Sequence, residues 1–196
     1  MFKRMEQKID DLTVEQIGQI FPIEIVSYNK EWETLFITEK ELIINALNNL
    51  FQVNIEHIGS TSVQGLSAKP IIDILIEFPI LTCETKITIL SKMSEIGYEN
   101  MSNAEQEKRM TLGKGYDLQD TEKQKFHAHI REKSADFQDE IYFRNHLREN
   151  SDAKKKYEAL KNDLGNKHKN NREDYTNAKT NFITAVTETA KNQKNE

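Results

Sequence analysis

Three groups of residues in this chain have types and spacings that could do chemistry. The first is the small polar turn Gly59-Ser60-Thr61-Ser62, with Asp73 following Ser60 after twelve intervening residues. A glycine lets the backbone come close to a ligand. The three hydroxyls suit a phosphate, as would the free N–H groups of a helix that started there. Asp73 supplies a hard oxygen for a divalent cation such as Mg²⁺. The plain alternative is a strand–turn–strand unit with a glycine turn. The second group is Phe126-His127-Ala128-His129-Ile130. Alternate residues of a strand share a face, so both imidazoles would project together. With Asp73 they would make a His-His-carboxylate set, which suits Mn²⁺, Fe²⁺ or Zn²⁺ better than Mg²⁺. The same pair could instead contact a phosphate or a substrate hydroxyl, or be half-exposed strand histidines, and all three readings stay open. The third group is basic. Lys69 precedes Pro70, Arg144 lies beside Ile141, and Lys179 aligns with Tyr175, Ile183 and Val186. An inward cation either snorkels or meets an anion. His57 reads as a satisfied structural histidine, Cys83 has no partner in a nucleophile motif, and Lys154-Lys155-Lys156 reads as a solvated face.

The elements that must position these residues follow from periodicity and punctuation. Thr13-Val14-Glu15-Gln16 has the form of a capping box and predicts a short helix stopped at Phe21-Pro22. Ile23 to Ser27 reads as a short strand. Asn29 or Ser27 would cap a helix from about 30 to 50, with Trp32, Leu35, Phe36, Ile43 and Leu47 on its apolar stripe. Glu39 falls inside that stripe, so it lies at the edge of the face, the commoner outcome, or is partly buried with a cation. Val53 to Ile58 predicts a strand. The run Ile71 to Phe78, the most apolar of the chain, predicts a buried central strand in which Asp73 is out of place. A helix from about 84 to 96 ends at Gly97. Strands are expected around Tyr98, from Lys108 to Leu112 and from Lys125 to Arg131, the last two forming a hairpin. Beyond Asp136 the pattern is helical and highly charged. Asp136 would cap a helix to Glu149, and Ser151 would cap a second that ends at Gly165. A third would run from Arg172 to Lys191 with Tyr175, Ala178, Phe182, Ala185, Val186 and Thr189 inward. The expected organisation is an N-terminal helical extension (1–22), an α/β core (23–135) and C-terminal helices (136–192) packed back on it.

Composition narrows the function classes. The 196 residues carry 27 Lys and Arg against 32 Asp and Glu, a net charge of −5. That balance argues against a general duplex-DNA binder, which would show a basic footprint. One cysteine excludes an intramolecular disulfide and a multi-cysteine zinc site. No run approaches the ~18 apolar residues of a membrane span, and the first residues lack the apolar stretch of a signal peptide. The expectation is a soluble cytoplasmic protein without a membrane partner.

The longer text around the first group, Glu56-His57-Ile58-Gly59-Ser60-Thr61-Ser62-Val63-Gln64-Gly65-Leu66-Ser67-Ala68-Lys69-Pro70-Ile71-Ile72-Asp73, resembles the hallmark stretch of the GrpB family. Tyr28-Asn29-Lys30-Glu31-Trp32, Lys114-Gly115-Tyr116, Phe143-Arg144-Asn145-His146-Leu147-Arg148 and Tyr175-Thr176-Asn177-Ala178-Lys179 resemble further stretches of the family, in order along nearly the whole chain. The resemblance implies an α+β, nucleotidyltransferase-like fold of the polymerase-β type: a mixed sheet flanked by helices, with a C-terminal helical part. It also implies a nucleotide or other phosphate-bearing small molecule as ligand. Gly59, Ser60, Thr61, Ser62, Lys69, Arg144, Tyr175 and Lys179 would hold phosphate, and Asp73, His127 and His129 would hold a divalent metal, Mg²⁺ or Mn²⁺, as catalytic residues. The chain departs from the active superfamily in one place. The second carboxylate of the Asp-x-Asp pair is Leu75, so a two-metal site, which needs several oxygen ligands, lacks one of them. Metal-dependent nucleotidyl transfer is therefore one expectation. A catalytically inactive nucleotide sensor or an interaction module is the other.

Overall fold

A computed structural model describes residues 11–47, 50–101, 108–133 and 138–194. Short helix α1 (Val14–Ile20) is followed by α2 (Glu31–Leu47), β1 (Asn54–Ile58), a 3-10 turn at Ser60–Ser62, β2 (Ile71–Phe78) and α3 (Cys83–Glu95). Then come β3 (Glu99–Asn100), β4 (Arg109–Lys114), β5 (Lys125–Glu132) and helices α4 (Asp139–Glu149), α5 (Ser151–Lys167) and α6 (Arg172–Lys194). The fold is α+β. Its mixed sheet has the order β1-β2-β5-β4-β3. Only β2 and β5 run parallel; the other pairs are antiparallel.

Strand β2 is central and buried along nearly its whole length, as its apolar run predicts. Period-2 alternation divides its side chains between two faces. Ile72, Ile74, Ile76 and Phe78 join Phe126, Ala128 and Ile130 of β5 in the main core, closed by Trp32, Ile43 and Leu47 of α2 and by Ile89 and Met93 of α3. Asp73, Leu75 and Glu77, with His127, His129 and Arg131 opposite them on β5, occupy the other face. The C-terminal helices lie on that side, where Arg131 reaches Glu140 of α4 at 3.7 Å. A second apolar cluster, Val63, Leu66, Phe143, Leu147 and Tyr157, ties α4 and α5 to the segment after the turn.

Several expectations are met and others need correction. The capping box at Thr13 and Gln16 is formed on both sides, and Asn29 accepts the Glu31 N–H at the start of α2. Ile23 to Ser27 is no strand: only Val26 bridges Ala68. The Ile23 N–H goes to the carbonyl of Lys169 beyond α5 instead, so helix packing takes the backbone partner a strand would need. Glu39 is buried, 4% exposed, rather than at an edge. Lys114 of β4 donates to both its oxygens at 2.7 and 2.9 Å, which removes the penalty of a buried lone carboxylate. Asn150, not Ser151, caps α5 by accepting from the Ala153 N–H. Gly165 does not end α5, which continues to Lys167. A Cβ there would stand 3.1 Å from Ile25, so the glycine makes room for the N-terminal segment. On α6, Tyr175, Phe182, Val186 and Thr187 turn inward while Ala178, Ala185 and Thr189 are exposed. The expected cap Asp136 and residues 1–10 of the N-terminal extension lie outside the described residues.

Candidate metal and anion site

The register of the two parallel strands builds the centre of the site. Asp73 pairs with His127 and Leu75 with His129, so the three polar side chains meet on one face. Asp73 Oδ1 lies 3.3 Å from His127 Nδ1 and 3.1 Å from His129 Nε2. One donor atom from each residue falls within 4.8 Å of the other two. With bonds of about 2.1 Å, ligand atoms around one ion sit roughly 3.0–3.4 Å apart. Two edges of this triangle already have that length and the third is within 4.8 Å, so a small side-chain adjustment would let one carboxylate oxygen and two imidazole nitrogens hold a single transition-metal ion. Burial alone would raise the pKa of Asp73. The hydrogen bonds from His127 and His129 outweigh it and hold the carboxyl far below the usual range.

A relay runs outward from this centre. Arg172 at the start of α6 donates to the Tyr116 hydroxyl at 3.0 Å, and that hydroxyl sits 2.5 Å from His127 Nε2. Arginine can only donate, so the Tyr116 oxygen accepts from it, while the direction of the Tyr116–Nε2 bond follows the imidazole tautomer. A metal ion at Nδ1 would replace the proton shared there with Asp73 and leave Nε2–H to donate to Tyr116. Burial lowers the pKa of His127, opposed by Asp73, and burial raises that of Tyr116.

The glycine turn closes the site from the β1 side. Ile58 pairs with Asp73, and Gly59 follows with φ +70. A Cβ at Gly59 would lie 2.5 Å from Asp73 Oδ2, so both conformation and space require glycine here. The hydroxyls behind it are mostly committed. Ser62 Oγ donates to the Gly59 carbonyl at 2.6 Å, and Thr61 Oγ1 donates to the Ile71 carbonyl at 3.1 Å. Thr61 has then spent its proton, so His57 Nε2 donates to it. Burial pushes the His57 pKa down to about 4, which leaves the ring neutral near pH 7. Ser60 remains beside Tyr157 with a side-chain hydrogen bond to it.

Cations collect over the aromatic rings next to Asp73. Lys179 stands 4.1 Å and Lys69 5.1 Å from the Tyr175 ring centre. Burial lowers the Lys69 pKa to about 7, with Arg172 and Lys179 adding repulsion. Burial takes Lys179 to about 8. Asp73 is the carboxylate that favours both charges. Behind them Lys161 donates to the Ser67 carbonyl, and burial brings its pKa to about 7. The buried Nε of Arg172 has no hydrogen-bond partner among the described residues.

Of the residues singled out from sequence, Gly59, Ser60, Asp73, His127, His129, Lys69, Tyr175 and Lys179 gather here. Thr61 and Ser62 line the turn with their hydroxyls turned inward. Arg144 lies elsewhere: it donates to Glu56 Oε2 and to the His57 carbonyl, both at 2.8 Å. Sequence reasoning missed Tyr116 and Arg172. In the sequence Tyr116 stands out only within a family-like stretch, and Arg172 only as the start of a helix.

A model of the GrpB family, described as GrpB protein, matches residues 22–189. The chain belongs to the GrpB family. A UPF0157 protein of Streptomyces coelicolor is 34% identical over 180 residues, covering 90% of each chain. The glutamate-rich protein GrpB of Alkalihalophilus pseudofirmus is 32% identical, covering 83% of this chain and 92% of its own. The crystal structure of a conserved GrpB protein from Enterococcus faecalis superposes with a TM-score of 0.75 at 30% identity, over 88% of this chain and 100% of that one. The Cid1 poly(U) polymerase overlaps at a TM-score of 0.47 and 11% identity, over 77% of this chain and 45% of its own, too loose an overlap to speak to chemistry. No helix among the described residues is long and apolar enough to cross a membrane.

Proposed function

We propose that this GrpB-family domain binds a nucleotide or another phosphate-bearing small molecule together with one divalent transition-metal ion, in the groove between β2, β5 and the C-terminal helices. The observation that carries the reading is the convergence of Asp73, His127 and His129 beside Lys69, Lys179 and Arg172, three cations that form no ion pair among the described residues. Three half-buried positive charges gathered around one carboxylate, Asp73, are costly. An anionic ligand relieves that cost and gains charge-assisted hydrogen bonds. Bound at Asp73, His127 and His129, a divalent ion would polarise a phosphate oxygen. Lys69 and Lys179 would orient the phosphate chain over Tyr175, and Gly59 would let it approach Asp73 closely. Nucleotidyl transfer is the reaction such an arrangement would serve. Leu75 favours a second reading. It is fully buried where the superfamily's other carboxylate would stand, and a site reduced in this way would sense a nucleotide without turning it over.

Thermal unfolding with ATP and pyrophosphate, each with and without Mn²⁺, tests the binding. A ligand at a hundred times its Kd stabilises by about 2.7 kcal/mol, so a rise in Tm that requires metal is expected, and it should vanish in Lys69→Met. No shift with any ligand and metal pair would overturn the proposal. Mass spectrometry of the reaction mixture separates the two readings. A product formed by the native protein and absent in Asp73→Asn marks transfer, and unchanged nucleotide under saturating binding marks a sensor.

A further inference from the structure

A second cavity, of about 610 Å³, lies on the other side of the Gly59–Ser62 turn, between α2, β1 and the α4–α5 corner. It shares Thr61 and Ser62 as a wall with the first site but contains none of Asp73, His127, His129, Lys69 or Lys179. Its size falls within the ~300–1,000 Å³ of small-molecule pockets. Four cations reach it, Lys40, Arg144, Arg148 and Lys154, against two carboxylates, Glu33 and Glu56. His57, also in the wall, is neutral above about pH 4, so the lining carries an excess of two positive charges. Arg144 is neutralised by Glu56 at 2.8 Å. The other three form no ion pair among the described residues and donate to backbone oxygens, Lys40 also lying 5.9 Å from the centre of the Phe36 ring. Lys40 donates to the Ile55 carbonyl at 3.0 Å and Lys154 to that of Gln64 at 3.3 Å. Arg148 donates through Nε and Nη2 to the Ser62 carbonyl at 3.2 and 2.8 Å. A guanidinium has five donors and an ammonium three, so each keeps N–H groups for an anion. Part of the lining is apolar: Phe36, which stacks on His57 at 4.6 Å, with Ile37, Ile55 and the ring of Tyr28.

We propose that this cavity is a separate binding site for a phosphate monoester with an organic body: the dianion is met by Arg148, Lys40 and Lys154, and the body rests on Phe36 and Ile37. Charge and shape agree, since a phosphate monoester brings close to two negative charges near neutral pH and the apolar part of the lining accommodates more than an inorganic ion. Occupation also reaches the first site. Arg148 holds the carbonyl of Ser62, whose hydroxyl holds the carbonyl of Gly59, so a ligand that recruits Arg148 acts on the turn that closes against Asp73. This site does not depend on the metal or on the proposed transfer reaction.

The test is equilibrium dialysis of metal-free protein, in EDTA, against adenosine 5′-monophosphate, with inorganic phosphate as the arm lacking an organic body. Saturable binding of the monophosphate is expected, tighter than phosphate. Arg148→Met, at an exposed position, should weaken it at least tenfold, and Lys40→Met should weaken it independently. Lys179→Met should leave it unchanged. Absence of saturable binding, or loss in Lys179→Met with none in Arg148→Met, would overturn the proposal. Phosphate bound as tightly as the monophosphate would refute the role of the apolar lining.

Discussion

The two faces of the central sheet are made from the same two strands and do opposite things. On the face toward α2 and α3, β2 presents Ile72, Ile74, Ile76 and Phe78 to a mainly apolar core. One residue along, Asp73 and Leu75 meet His127 and His129 on the face toward the C-terminal helices, and Lys69 and Lys179 are held there with depressed pKa values. The first face supplies stability. The second gives some of it up by burying like charges around one carboxylate. A strand period of two lets one eight-residue strand do both, and the price of function is confined to one side.

The largest effect is expected on the apolar face. Ile74 is fully buried, and Ile74→Ala should lower unfolding free energy by about 3–4 kcal/mol in urea titration, with little change in metal affinity. An equal loss of metal affinity would show that the faces are not separable. Next in size is a pH effect at the border of the two faces. His57 titrates at about 4 when folded and near 6.5 when unfolded. As pH falls through 6.5 the unfolded chain takes a proton that the folded protein refuses until about 4. His57 therefore contributes full stability above pH 6.5 and loses about 3 kcal/mol between pH 6.5 and 4. The difference between native protein and His57→Gln across that range should show this slope; parallel profiles would refute it. The smallest effect has the opposite sign. The folded pKa of Lys179 lies below its unfolded value, so its charge opposes folding at pH 7 and the penalty fades as pH rises from about 8 toward 10.5. Lys179→Met should stabilise the protein at pH 7 by about 1 kcal/mol while weakening Mn²⁺-dependent ATP binding at least tenfold. A destabilised variant would place Lys179 among the structural residues.

Much of this division was legible in the sequence, because it rests on short-range pattern. The run 71–78 showed a buried strand with one misplaced carboxylate, and the alternation of His127 and His129 put both on one face. Contacts between residues far apart in the chain were not legible. Nothing local tells that Glu39 is buried because Lys114, 75 residues on, reaches it, or that Arg172 anchors Tyr116 and through it His127. Arg144 was grouped with Lys179 because both are inward cations of family stretches; only the packing of α4 against β1 shows that its partner is Glu56. Local punctuation also misled where packing decided otherwise. Gly165 looked like a helix end, and Ile23–Ser27 looked like a strand, and the two are explained by each other because they pack together.

The reading of the polar face stands on whether Asp73, His127 and His129 hold one metal ion. Isothermal titration of chelator-stripped protein with Mn²⁺ and Zn²⁺ measures this directly, supported by the visible spectrum of the Co²⁺ form. One ion per chain is expected, with affinity reduced by about a hundredfold or more in Asp73→Asn and in His129→Ala and unchanged in Lys40→Met. Native protein that takes up no ion stoichiometrically, or variants that bind as tightly as the native chain, would contradict it and leave the three residues as a hydrogen-bonded cluster.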